Sequence, residues 1–123
     1  MTKRILIVDD EPHMRLVTQL SLKKGGFDTL LAGDAREALA LAASEHPDLI
    51  VLDVVMPGMD GLAALRELKS NPATATIPVI MLTSRGQTVL REEAQTSGAV
   101  LYLTKPFAPS QLLAQAKQVM GLA

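Results

Sequence analysis

Two short apolar runs in the sequence end in carboxylates. Ile5–Val8 runs into Asp9, Asp10 and Glu11, and Leu49–Leu52 runs into Asp53. Two more end in hydrogen-bond donors or a cation. Val79–Leu82 leads to Thr83 and Ser84, and Val100–Leu103 leads to Thr104, Lys105 and Pro106. Gathered in one crevice, these residues set carboxylates, hydroxyls and one ammonium side by side. Clustered carboxylates repel, and a hard divalent cation relieves the repulsion. Mg²⁺ prefers oxygen ligands, keeps several waters, and often takes only one or two carboxylates plus a phosphate. Lys105 supplies a point charge suited to a phosphoryl oxygen, and Thr83 can donate a hydrogen bond to the same group. The chemistry that fits is transfer of a phosphoryl group beside a metal, with a carboxylate as nucleophile.

The elements that must position these residues follow from the hydrophobic pattern. Apolar runs of about four residues recur, the remaining one being Thr29–Ala32. They are continuous rather than alternating, as strands covered on both faces are. Between them lie stretches of helical period. Ala35, Ala38, Leu39 and Ala42 form one stripe, Leu62, Leu65 and Leu68 another, and Leu112, Leu113, Ala116, Val119 and Met120 a third. Gly25-Gly26, Pro47, Asn71-Pro72 and Gly98 fall where helices should stop, and Pro109-Ser110 where the last should start. Strand and helix thus alternate five times. Right-handed crossovers then predict an α/β fold, a parallel sheet with helices on both faces. In such a sheet, ligands bind beyond the carboxyl ends of the strands, where all the residues above stand.

Taken singly, each has a plainer reading. Asp9-Asp10-Glu11 suits a helix start, since acids favour helix N-termini. Thr83 alone reads as a turn residue and Lys105 as a solvated lysine. Their joint placement at strand ends outweighs this, and Asp53 after a buried run needs a partner. Glu11 reads as a solvated or capping acid, His13 and His46 as surface residues, Met56 and Met59 as loop packing, and Phe107 as a core plug.

The 123 residues suit one domain, 1–123. A net charge of −1 offers no general attraction for DNA or an anionic membrane, so neither nucleic acid nor membrane is expected as a direct partner. Cysteine is absent, which excludes disulfide and thiolate chemistry and suits a reducing cytoplasm. The apolar run after Arg4 is too short for a signal or a membrane span.

The residues also carry a resemblance along nearly the whole chain. Ile5-Leu6-Ile7-Val8-Asp9-Asp10-Glu11, Pro47-Asp48-Leu49-Ile50-Val51-Leu52-Asp53, Met56-Pro57-Gly58-Met59-Asp60-Gly61, Met81-Leu82-Thr83-Ser84 and Tyr102-Leu103-Thr104-Lys105-Pro106-Phe107 occur in order and at family-like spacing. Together they resemble the response regulator receiver domain of two-component signalling. The resemblance implies a doubly wound (βα)5 sandwich whose five-stranded sheet has the order 2-1-3-4-5. It makes Asp53 the phosphoacceptor, with Asp9, Asp10, Asp53 and the backbone carbonyl of Val55 around Mg²⁺. Lys105 would pair with the phosphoryl group, Thr83 would hydrogen-bond it, and Thr83 and Tyr102 would switch on activation. The Lys105–Pro106 bond would be cis. The protein would be a phosphoacceptor switch rather than an enzyme.

Its implied partners are a sensor histidine kinase or histidine phosphotransfer protein, and a target protein on the face of the fourth helix, fifth strand and fifth helix. Val100 and Tyr102, two apart on one strand, would share a side of that face and either leave an apolar patch or lie under the fourth helix. By the same resemblance, Val55 and Arg85 would occupy positions that vary in the family and tune the lifetime of the phosphoryl group, and a valine side chain cannot orient water. Val100 and Leu101 stand where polar or acidic residues are common in that family. A stand-alone regulator is expected, the alternative being a receiver fragment of a longer regulator with a DNA-binding or enzymatic output. An aspartate-nucleophile phosphatase of the haloacid-dehalogenase type would need a second aspartate where Val55 stands. A flavodoxin-like flavin carrier would need a phosphate loop where Asp9-Asp10-Glu11 would repel phosphate.

Overall fold

The computed structural model describes residues 2–54, 61–83, 97–104 and 108–122. They form β1 (Arg4–Val8), α1 (Pro12–Lys24), β2 (Asp28–Ala32), α2 (Ala35–Glu45), β3 (Leu49–Asp53), α3 (Gly61–Ser70), β4 (Val79–Thr83), β5 (Leu101–Thr104) and α4 (Pro109–Val119). The fourth helix expected from the sequence falls on 84–96, outside the described residues, so α4 is the fifth helical stretch of the sequence. Phe107 also lies outside them. All strand pairs are parallel, in the order β2-β1-β3-β4-β5.

Period-2 alternation divides the strand residues between two cores. Leu6, Val8, Ile50, Leu52, Val79, Met81 and Tyr102 face α2 and α3, which contribute Ala35, Ala38, Ala42, Leu62, Leu65 and Leu68. Ile5, Ile7, Leu49, Val51, Ile80, Leu82 and Leu103 face the other way, against Leu22 of α1 and Leu112 and Ala116 of α4. Runs that feed both cores cannot alternate polar with apolar, which is why they are continuous.

The punctuation acts as expected, with one addition. Gly25 caps α1 and Gly26 turns the chain at φ +90°. α2 starts on Asp34, whose carboxylate accepts the N–H of Glu37 at 2.8 Å. It ends on His46, exposed and in the left-handed conformation (φ 46°, ψ 62°). The helical conformation is disfavoured there by Pro47, and histidine is one of the side chains that tolerate the left-handed region. Among the described residues, no helix is long and apolar enough to cross a membrane.

The expected strand bounds are corrected. β1, β2, β3 and β4 take in Arg4, Asp28, Asp53 and Thr83, polar residues that carry the backbone ladder without an apolar side chain. β5 begins at Leu101, so Val100 stands just before the strand.

Candidate functional site

β1 and β3 are neighbours, with Val8 opposite Leu52. Asp9 and Asp53 are the next residues along the two strands' paths, and Asp10 follows at once. The topology therefore brings together the three acids that sequence spacing marked. One oxygen from each carboxylate lies within 4.8 Å of the other two. Asp9 and Asp53 are only 4% and 8% exposed, while Asp10 opens to solvent.

Asp9 is held on several sides. Its N–H donates to the Ala32 carbonyl at the end of β2 (3.2 Å). Its Oδ1 accepts the Glu11 N–H (3.0 Å), and its carbonyl accepts Nη1 of Arg15 (2.8 Å). Glu11 itself is exposed and sits at the N-cap of α1 without a side-chain capping bond. Asp53 is fixed through the chain after it. The Val54 N–H donates to the Leu82 carbonyl and the Val54 carbonyl accepts the Gly61 N–H, both at 2.8 Å. A Cβ on Gly61 would stand 2.2 Å from the Asp53 carbonyl oxygen, so α3 starts directly against the backbone of that aspartate.

Carboxylates this close repel one another, the more so where two of the three are shielded from water. Their oxygens are the hard donors that a small divalent cation takes, and the exposed Asp10 leaves room for its waters. The acidic cluster thus fits the Mg²⁺ pocket implied by the sequence.

The other predicted residues fall as follows. Thr83 closes β4 opposite Thr104 of β5. The Thr83 side chain, Val55, Lys105 and the Lys105–Pro106 bond lie outside the described residues. Tyr102 is buried in the α2–α3 core at 7% exposure, whereas Val100 is 52% exposed. The two therefore do not form the shared surface that their spacing suggested. His13 is exposed at the start of α1. The sequence does not mark Arg15 or Gly61 as site residues. Each contributes through a contact with backbone that exists only once the chain is folded.

Known proteins match this arrangement. The family model of the response regulator receiver domain covers residues 5–117. The chain belongs to the response regulator receiver domain family. The phosphate regulon transcriptional regulatory protein PhoB of Pseudomonas aeruginosa is 40% identical over 118 residues, 96% of this chain and 52% of that protein. The alkaline phosphatase synthesis transcriptional regulatory protein PhoP of Bacillus subtilis is 38% identical over 120 residues, 98% of this chain and 49% of that protein. This receiver spans about half the length of those curated relatives. Chemotaxis protein CheY4 of Vibrio cholerae superposes with a TM-score of 0.92 at 32% identity, covering 97% of this chain and 99% of that one. A response regulator of Chloroflexus aurantiacus gives 0.93 at 31%, covering 98% and 99%. The receiver class and the sheet order expected from the sequence are both borne out.

Proposed function

We propose that Asp53 accepts a phosphoryl group from a phosphohistidine on a sensor histidine kinase or histidine phosphotransfer protein, and that the added charge switches a protein-binding surface. The observation that carries this reading is the meeting of Asp9, Asp10 and Asp53 at the ends of β1 and β3. A carboxylate oxygen of Asp53 attacks phosphorus. The P–N bond breaks as the P–O bond forms, and the electron pair stays on the ring nitrogen, so that an imidazole already protonated on its other nitrogen leaves neutral. Asp9, Asp10, Asp53 and the Val55 carbonyl are the residues that would hold Mg²⁺, which when bound neutralises charge on the phosphoryl oxygens. Lys105 would pair with those oxygens and Thr83 would hydrogen-bond one of them, while Thr83 and Tyr102 would carry the switch. Asp10 is exposed, and Asp9 is buried with its carboxylate accepting the Glu11 N–H.

The protein acts in this reading as a phosphoacceptor switch within domain 1–123, placed in the cytoplasm. Its target would dock on the face of the sequence's fourth helix, fifth strand and fifth helix. The test is labelling by a small-molecule phosphodonor with Mg²⁺. Label should be labile to base and hydroxylamine and should be lost in Asp53→Asn, whose amide is nearly isosteric. Normal labelling of that variant would remove Asp53 from the role.

A further inference from the structure

Arg15 is the fourth residue of α1, and its own N–H donates to the Glu11 carbonyl at 3.0 Å. Its side chain turns back toward the sheet, where Nη1 donates to the Asp9 carbonyl at 2.8 Å. A second contact lies on the loop between β2 and α2. Gly33 is not among the glycines of positive φ, so the backbone does not demand glycine there. A Cβ at Gly33 would stand 3.1 Å from Arg15 Nη1 and 3.8 Å from Cζ. Gly33 therefore leaves room for the guanidinium, which lies between the β2–α2 loop and the end of β1.

We propose that Arg15 is a positioning residue for the acidic crevice. Seated against Gly33, its guanidinium holds the Asp9 carbonyl and so fixes the peptide between Asp9 and Asp10, from whose two ends both carboxylates project. The inference rests on the reading of Asp9, Asp10 and Asp53 as cation ligands. Two physical points support it. A carbonyl belonging to a nearly buried residue needs a donor, and a charged one makes the stronger bond. Groups that orient metal ligands from behind commonly change metal affinity by about 10- to 100-fold when removed.

The test titrates Mg²⁺ alone against the thermal midpoint of the full chain, which yields the dissociation constant from the rise in midpoint. Arg15→Gln should weaken Mg²⁺ binding by about tenfold. Gly33→Ala should weaken it less, by about two- to threefold, because the end of a flexible side chain has only to give way by a few tenths of an ångström. Gly33→Ala should hold or raise the metal-free midpoint, since alanine lowers the entropy of the unfolded chain. A purely structural contact would instead move the midpoint and leave the Mg²⁺ constant alone. In the Arg15→Gln background Gly33→Ala should add nothing, because the group it displaces is gone. Unchanged Mg²⁺ affinity in a folded Arg15→Gln, or a full effect of Gly33→Ala in that background, overturns the proposal. If Arg15→Gln does not fold, Gly33→Ala decides alone, and an unaltered constant there overturns the proposal. A wild-type chain that binds no Mg²⁺ overturns both this inference and the reading of the acids as ligands, whereas binding that ignores Arg15 and Gly33 overturns only the inference.

Discussion

At the scale of the residue, Gly61 shows how narrowly the acceptor's surroundings are drawn. Its φ is not in the left-handed region, so the requirement is for space. A Cβ would meet the Asp53 carbonyl oxygen at 2.2 Å and Val54 Cα at 2.6 Å, both backbone atoms that no rotamer change can move aside. The N–H of the same glycine donates to the Val54 carbonyl, so α3 cannot back away without losing that bond. Gly61→Ala should destabilise the domain by about 1–3 kcal/mol, the usual range for overpacking, and should reduce labelling of Asp53 because the displaced backbone carries the acceptor. Urea unfolding and phosphodonor labelling of the same variant check the two halves. Stability within about 0.5 kcal/mol of wild type, the range of an ordinary surface change, would mean that the turn has slack. The three acids were legible in the sequence because each ends an apolar run, and parallel strands present their ends together. Gly61, Arg15 and Gly33 were not, because what each does depends on an approach between segments that sequence spacing does not express.

At the scale of the element, α3 ties the sheet to the segments on either side of it. Lys69 Nζ donates to the carbonyls of Ala75 (3.1 Å) and Ile77 (2.6 Å), and its stem packs on Gly98. Arg66 Nε reaches Ser97 Oγ at 3.3 Å. One helix face thus holds both the approach to β4 and the approach to β5. Lys69→Met keeps the stem and removes the donors, so two part-buried carbonyls lose a partner, at a cost of about 1–3 kcal/mol. Burial lowers the Lys69 pKa below its ordinary 10.5, because desolvation disfavours the charged form. Between the lowered value and 10.5 the unfolded chain binds more protons at this position than the folded one. Lys69 therefore adds stability as pH rises through that window and imposes its full penalty below it. Unfolding measured at stepped alkaline pH should show this rise in wild type and a flatter profile in Lys69→Met. Identical profiles would deny Lys69 a part in it. The pattern that revealed the strands concealed other features of the elements. Val100 belongs to an apolar run by composition, yet stands before β5 and is half exposed. α1 buries only Thr18 and Leu22 and leaves Leu16 and Leu20 exposed, so its apolar residues do not mark its core face.

At the scale of the whole molecule, the acidic crevice joins two strands at the middle of the sheet, and its charge enters the stability of the entire fold. The order β2-β1-β3-β4-β5 places the ends of β1 and β3 side by side, so repulsion among Asp9, Asp10 and Asp53 presses on the central strand pair. That order was legible only through resemblance, since hydrophobic runs reveal how many strands exist and not which lie together. A cation bound by the folded chain alone stabilises it by mass action, by about 1.4 kcal/mol at ten times the dissociation constant. For a domain of this size that corresponds to a rise of about 5 °C in the thermal midpoint. Asp10→Asn separates repulsion from binding. Asp10 is exposed, so its replacement leaves both cores intact, and the neutral amide relieves like-charge repulsion. Without Mg²⁺ the variant should melt at or above the wild-type midpoint. With Mg²⁺ at a concentration that saturates wild type it should gain much less, so that the order of the two midpoints reverses. Chelation should return both proteins to their metal-free values. Equal wild-type midpoints with and without saturating Mg²⁺ would show that the three acids share no cation, and an undiminished gain in Asp10→Asn would remove that residue from the ligand set.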